Sequence, residues 1–374
     1  MAIRVYIKTY NYHELNTNCH KLILFSYLPM KYKLLSVENL RKRNDVINIG
    51  DNIQTLAASQ FLPSLDGFVD RERLSVYDGD ECAVIMNGWY MHFPEFWPPS
   101  RKIHPLFVAF HVNSSAAEKM LCSEGLSYLK QHEPIGCRDK YTCDLLTKKG
   151  IKAWFSGCLT LTLGQKYLSE EKSDLVYFVD PFIPSTQQKW LLILDVLALF
   201  RHPCLVRSLS PKVHGDQVQI SSFVKYVRAA RFYRLYSRIF SKKVIKNAIY
   251  IQHACSYYNT LSNEMRLREA EKLIQLYAKA KYVVTSRIHC ALPCLGLGTP
   301  VYFTYDKTWE EGSSCRLGGL MELLHVINVT PYKLNIEFEY MDSFPEDVVQ
   351  NKDSWRPLAK RMAEICTDFI GSFD

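Results

Sequence analysis

The sequence predicts an α/β protein made of two parallel-sheet domains in tandem. Three observations carry that expectation. Apolar runs of strand length alternate with segments of helical length, the runs end in small or polar residues, and the rhythm restarts after about residue 165. With 374 residues the chain also exceeds a single ordinary core. The expected division is an N-terminal extension over 1–29, a first domain over 30–165, a second over 166–350, and a C-terminal helix over 351–374 that packs back on the first domain.

The elements follow in order. "KYKLLSV" after Met30 reads as the first strand, and Val46–Ile49 as the next, followed by a Gly-Asp turn and a helix from Asn52. "ECAVIMNG" and "PLFVAFHVNSS" read as further buried strands. "AAEKMLCSEGLSYLKQHE" and "RDKYTCDLLTKKG" supply helices, and "KAWFSGCLTLTL" returns to strand. In the second half "SDLVYFVDPF", "AIYIQHAC" and "KYVV" are strands, and "TSRIHCALPCLGLGTPVYF" is a helix leading to another strand. In the last helix Leu358, Met362, Ile365 and Phe369 recur at helical spacing.

Composition narrows the class. Apolar residues make up 48% and charged residues 22%, which describes a folded chain rather than a disordered one. A net charge of +8 suits an anionic partner without choosing among phosphate, membrane surface and nucleic acid. The twelve cysteines are scattered, with no Cys-x-x-Cys pair and no zinc spacing, so reduced thiols and a cytoplasmic setting are expected. No apolar run reaches the ~20 residues that span a bilayer.

Ligands of open parallel sheets bind where strand ends meet helix starts. Three such places stand out. In "TSRIHC", Ser286 is the expected N-cap, with Arg287, Ile288 and His289 in the first helical turn. Free N–H groups there, beside a guanidinium, suit a phosphate or carboxylate; a structural turn is the plainer alternative. In "NIGDN", Gly50 permits close backbone approach, and Asp51 or Asn52 is a ligand-facing residue or a helix cap. In "CRDKYT", Arg138 and Asp139 open a helix as an anion site or a local ion pair.

Taken together, in order, these segments resemble the polysaccharide pyruvyltransferases: "NIGDNIQTLA", then "CRDKYTCDLLTKKGIKAW", then "TSRIHCALPCLGLGTPV". The resemblance implies two Rossmann-like domains facing across a cleft, similar to GT-B glycosyltransferases. It further implies phosphoenolpyruvate as co-substrate, no separate cofactor and no metal, and a glycan acceptor. Onto this sequence it carries Arg287, Ile288 and His289 as donor contacts, with Arg138 and, in "SSCRLGGLMELL", Arg316 beside them. His289 is the candidate for proton transfer and Asp51 a candidate base, while Asn52, Asn87, His111 and Asn113 are candidates to face the acceptor. The chain departs from the family in "SGCLTLTL", where Gly-Asp-Pro is common, and in Pro293, expected to kink the helix after His289. A nucleotide-sugar glycosyltransferase and a non-catalytic glycan-binding protein are the alternative functions.

Residues 225–246 hold eight Lys/Arg and no acid. As one helix they place Arg228, Arg231, Arg234, Arg238 and Lys242 on one side and Phe232, Tyr233, Tyr236 and Phe240 on the other. A helix docked by its aromatic face, or contact with an anionic membrane surface, fits that pattern. Nucleic acid does not, because the aromatics are segregated from the cations. The expected location is cytoplasmic, either free or peripheral on the inner face of the membrane; the resemblance implies a lipid-linked acceptor, which favours the second.

Overall fold

The computed structural model describes residues 29–38, 46–186, 188–214, 221–307 and 315–373. All but the last residue of the expected N-terminal extension therefore lies outside the described residues. Strands β1 (Lys31–Ser36), β2 (Phe68–Asp70), β3 (Cys82–Ile85) and β5 (Ile103–Leu106) form a parallel sheet in the order β2-β1-β3-β5. Two short parallel ladders extend this half: β4 (Trp89–Tyr90) with β6 (His111–Val112), and β7 (Ile135–Cys137) with β8 (Ala153–Phe155). The second half carries β9 (Val176–Val179), β10 (Ile249–Ile251), β11 (Tyr282–Thr285), β12 (Val301–Tyr305), β13 (His325–Val329) and β14 (Leu334–Ile336). These run β10-β9-β11-β12-β13-β14, parallel except for β14.

Alternation along the strands decides what each face covers. Tyr177, Val179, Val283, Val301 and Phe303 point to one side; Val176, Phe178, Tyr282, Val284 and Tyr302 point to the other. The first set joins Ile53 and Leu56 of the Ile49–Ser59 helix and Ile274 and Tyr277 of the Asn263–Ala278 helix in one apolar cluster. That cluster also contains Leu34 and Ile85 from the first sheet, so one core runs through both halves. From the Arg356–Gly371 helix, Ile370 meets Tyr32 and Ala83 of the first half. The result is α/β, with two Rossmann-like halves facing each other.

Several local expectations are corrected. No strand forms over Val46–Ile49; the helix already begins at Ile49, because the Asn48 side chain accepts from Gly50 N at 3.0 Å and caps it. "CLTLTL" alternates like a strand but forms a 3-10 turn over Leu159–Thr162 after Gly157, whose φ is +72°. The Leu161 carbonyl lies so close to Gly296 that a Cβ there would sit 2.5 Å from its oxygen, which accounts for glycine in the Ile288–Gly296 helix. That helix runs on through Pro293, and its N-cap is Arg287 rather than Ser286.

The basic segment is also different. It divides into helices Ser222–Tyr236 and Lys242–Asn247, the second capped by Ser241. Phe232, Tyr236 and Phe240 are fully buried. Arg231 and Arg234 turn inward, each 2.8 Å from the buried carboxylate of Asp195. The membrane face expected from residues 225–246 thus lacks two of its central cations, because the neighbouring Lys189–Arg201 helix brings a carboxylate that claims them.

Candidate active site

The parallel register of β9, β10, β11 and β12 puts the residues after each strand on one edge of the sheet. Asp180, His253, Ser286, Arg287 and Asp306 all lie there. Opposite stand the start of the Ile49–Ser59 helix and Arg138, which follows β7. Between them is a cavity of about 140 Å³ lined by Asn48, Asp51, Trp89 and Arg138 from the first half. The second half contributes His253, Ser286, Arg287, Ile288, His289, Tyr305 and Arg316, among others.

The two halves meet closely at this point. Ile49 N donates to the His253 carbonyl at 2.8 Å, and Asn48 bridges to Ala254. A Cβ on Gly50 would lie 3.1 Å from Asn48 Oδ1 and 3.2 Å from His289 Cβ, so any larger residue in "NIGDN" would require these neighbours to shift by a few tenths of an ångström.

Arg287 is aimed by Asp180. Its Nε donates to Asp180 Oδ2 at 2.7 Å, and the same oxygen accepts from His253 N at 3.0 Å. The Asp180 carbonyl accepts from the Ser286 hydroxyl at 2.6 Å. Holding these contacts puts Asp180 at a φ of +42°, a left-handed conformation uncommon outside glycine. First-turn N–H groups of the Ile288–Gly296 helix have no intrahelical acceptors, which adds partial positive charge beside the guanidinium.

Arg138 is buried, and its charge is only partly answered. Asp139 lies 3.7 Å away, but that carboxylate caps the Lys140–Lys148 helix through Thr142 N and accepts from His111 Nδ1 at 2.5 Å. Arg138 Nε has no hydrogen-bond partner. Burial, and then the Arg138 charge, lower the His111 pKa to about 4, so His111 is neutral and donates to Asp139.

His289 sits among these cations. Burial first, then Arg138 and neighbouring positive groups including Arg316, push its pKa well below 6.5. Its Nε2 is buried without a partner, as is Nδ1 of His253, whose Nε2 pairs with the Tyr277 hydroxyl at 2.9 Å. Asp51 accepts from Trp89 Nε1 at 3.2 Å and lies 3.8 Å from Arg71. The neutral imidazole of His289, a held carboxylate and three guanidiniums can bind a small multivalent anion and move protons around it.

The matching family model is that of the polysaccharide pyruvyl transferases, over residues 48–306. The chain belongs to the polysaccharide pyruvyl transferase family. Among solved structures it is similar to an uncharacterized Klebsiella pneumoniae protein at 12% identity, covering 80% of this chain and 94% of that one with a TM-score of 0.42. It is also similar to the E. coli heptosyltransferase WaaC with ADP, at 14% identity, covering 75% of this chain and 89% of that one with a TM-score of 0.30. No curated protein matches the chain.

Of the expected site residues in this pyruvyl transferase, Asp51, Arg138, Arg287, Ile288, His289 and Arg316 line the one cavity. The four acceptor candidates do not. Asn87 and Gln54 exchange hydrogen bonds that tie a strand end to the Ile49–Ser59 helix. Asn113 accepts from Ser115 N at 3.0 Å, His111 is bound to Asp139, and Asn52 is buried in the helix. Strand-end polar groups here satisfy their own surroundings first. Sequence reasoning missed Asp180, Trp89 and His253. Asp180 and His253 end the runs "YFV" and "YIQ", so the strand-end rule applied to every strand would have found them.

Proposed function

We propose that this family member transfers the pyruvyl group of phosphoenolpyruvate to two hydroxyls of one sugar in a surface-polysaccharide precursor, forming a ketal and releasing phosphate. The observation that carries this reading is the convergence of Arg138, Arg287 and Arg316 on one cavity with His289 held neutral among them. The donor carries a carboxylate and a phosphate on three carbons, and planar guanidiniums bind both groups in a bidentate manner.

The chemistry follows from the charges. A proton added to the methylene carbon places positive character on C2. One sugar hydroxyl attacks C2 and gives up its proton, phosphate leaves with the C–O bonding pair, and the second hydroxyl closes the ketal, its proton passing to the released phosphate. A neutral His289 cannot supply the first proton. The arriving donor changes that, because its negative charge offsets the guanidiniums that depress the imidazole and so raises its pKa. His289 then acts as the acid, Asp51 as the base toward the acceptor hydroxyl, and Asp180 as the residue that positions Arg287. A lipid-linked acceptor at the cytoplasmic face of the membrane completes the reading.

The test is phosphate release from phosphoenolpyruvate with synthetic glycan acceptors. Release that requires the acceptor, and is lost in Arg287→Ala, supports it. Turnover of a nucleotide-sugar without such release assigns the cleft to glycosyl transfer instead; glycan binding with neither activity assigns it to recognition alone.

A further inference from the structure

The Lys189–Arg201 helix, KWLLILDVLALFR, is built inside out. Trp190, Ile193, Leu194, Leu197 and Phe200 recur at three- and four-residue spacing and share one face. That face points away from the protein: Ile193 is 60% and Phe200 75% exposed. Asp195, its single carboxylate, is fully buried against Arg231 and Arg234. At the start of the Ser222–Tyr236 helix, exposed Phe223 and Val224 continue the apolar surface. With Leu192, Val196 and Arg228 they line a hollow of about 480 Å³. Contiguous exposed apolar surface of this kind marks an interaction site.

Its rim is cationic. Lys189 and Arg201 stand at the two ends of the outward face, and Arg228 borders the hollow. Arg238 donates to the Tyr332 carbonyl at 2.9 Å, and the Tyr332 ring lies 5.6 Å from that of Trp190. From residue 183 to 248 the sequence has twelve Lys/Arg against two Asp and no Glu. Among the described residues no carboxylate pairs with Lys189, Arg201, Arg228 or Arg238.

We propose that this face docks the protein on an anionic lipid surface. The outward aliphatic and aromatic side chains enter the boundary between headgroups and acyl chains, and the rim cations meet lipid phosphates. A second copy would also cover the apolar face, but it would set two cationic rims together in a chain of net charge +8. The apolar contact lies on the Lys189–Arg201 helix; of the arginine side of 225–246, Arg228 and Arg238 join its rim, while Arg231 and Arg234 are turned inward to Asp195. The chain links it to the cleft: Phe182 lines the cavity there, and the next residues, Ile183 and Pro184, line the hollow.

The experiment is co-flotation of the full chain with phosphatidylcholine vesicles, with and without phosphatidylglycerol. It is independent of donor chemistry. Binding is expected to need the anionic lipid, to weaken with salt, and to drop about tenfold or more in Ile193→Glu/Leu197→Glu. Arg201→Glu/Arg228→Glu lowers it with the apolar face intact, and circular dichroism melts of both variants check folding. Absence of vesicle binding, or equal binding to neutral and anionic vesicles, overturns the proposal. So does a solution dimer that Ile193→Glu/Leu197→Glu turns into a monomer, which would assign the face to a second copy.

Discussion

Gly50 and His289 touch across the two halves of the molecule, so that a methyl group on Gly50 would sit 3.2 Å from His289 Cβ and 3.4 Å from His253 Nδ1. This contact couples the "NIGDN" helix start to the "RIH" helix start. Gly50→Ala is expected to leave stability nearly unchanged, since alanine favours the helix by about 0.5–1 kcal/mol and offsets the crowding. Turnover is expected to fall tenfold or more, on the order that small misplacements of reacting groups produce. Thermal melts beside phosphate-release rates separate the two effects.

Asp180 and Arg287 form the next pair to test. Arg287→Ala is expected to reduce kcat/KM for the donor about 10–150-fold, as loss of charged hydrogen bonds does, and lysine is not expected to restore it. Asp180→Asn retains the shape but not the charge that fixes Nε at 2.7 Å. It is expected to raise the donor KM more than it lowers kcat. Equal kinetics in Asp180→Asn and the parent protein would remove its positioning role.

Donor binding is expected to take up a proton. His289 is neutral in the free protein because burial and nearby cations depress it, and an arriving anion raises its pKa. Affinity for phosphoenolpyruvate therefore falls as pH rises through the window between the free and bound values. Calorimetry in buffers of different ionisation enthalpy reports the uptake, and His289→Gln should abolish the His289 contribution to it.

Acid is expected to weaken the fold through His111. Its folded pKa of about 4 lies below the ordinary 6.5, so the unfolded chain binds a proton that the folded chain excludes. The stabilisation is complete above about pH 6.5 and is lost as pH falls toward 4, amounting to about 2 kcal/mol between pH 7.5 and 5. Urea unfolding at the two pH values measures it. His111→Gln should flatten the difference.

Removing Asp195 is expected to cost stability rather than donor chemistry. Its carboxylate answers two inward-facing arginines at 2.8 Å each. Asp195→Ala leaves both guanidiniums uncompensated in a dry site, a change of about 3–5 kcal/mol in denaturant unfolding.

Much of this molecule was legible in its residues. Strand-length apolar runs ending in polar groups located β3, β9, β11 and β12, because burial on both faces requires them to be largely apolar. The Arg287–His289 triplet and Arg138 were legible because helix starts after buried strands are few. Alternation misled at "CLTLTL", where Gly157 turns the chain and a facing helix takes up the leucines. At 225–246 periodicity placed the aromatics on the docked side, as the structure has them, but not Arg231 and Arg234, since a helical wheel shows which residues share a side but not what waits opposite.

By itself, then, the sequence determined the α/β class, the tandem halves and the three motifs that bound the cavity. Those features depend on local spacing and on which residues must avoid water. Only the tertiary structure decided that Asp180 aims Arg287, that His253 joins the two halves, and that Asp195 draws Arg231 and Arg234 inward while a row of apolar side chains faces out. Each of these is a meeting of residues far apart in the chain. Distance and burial set their charge and hydrogen bonding, and neither quantity exists until the sheets and helices have packed.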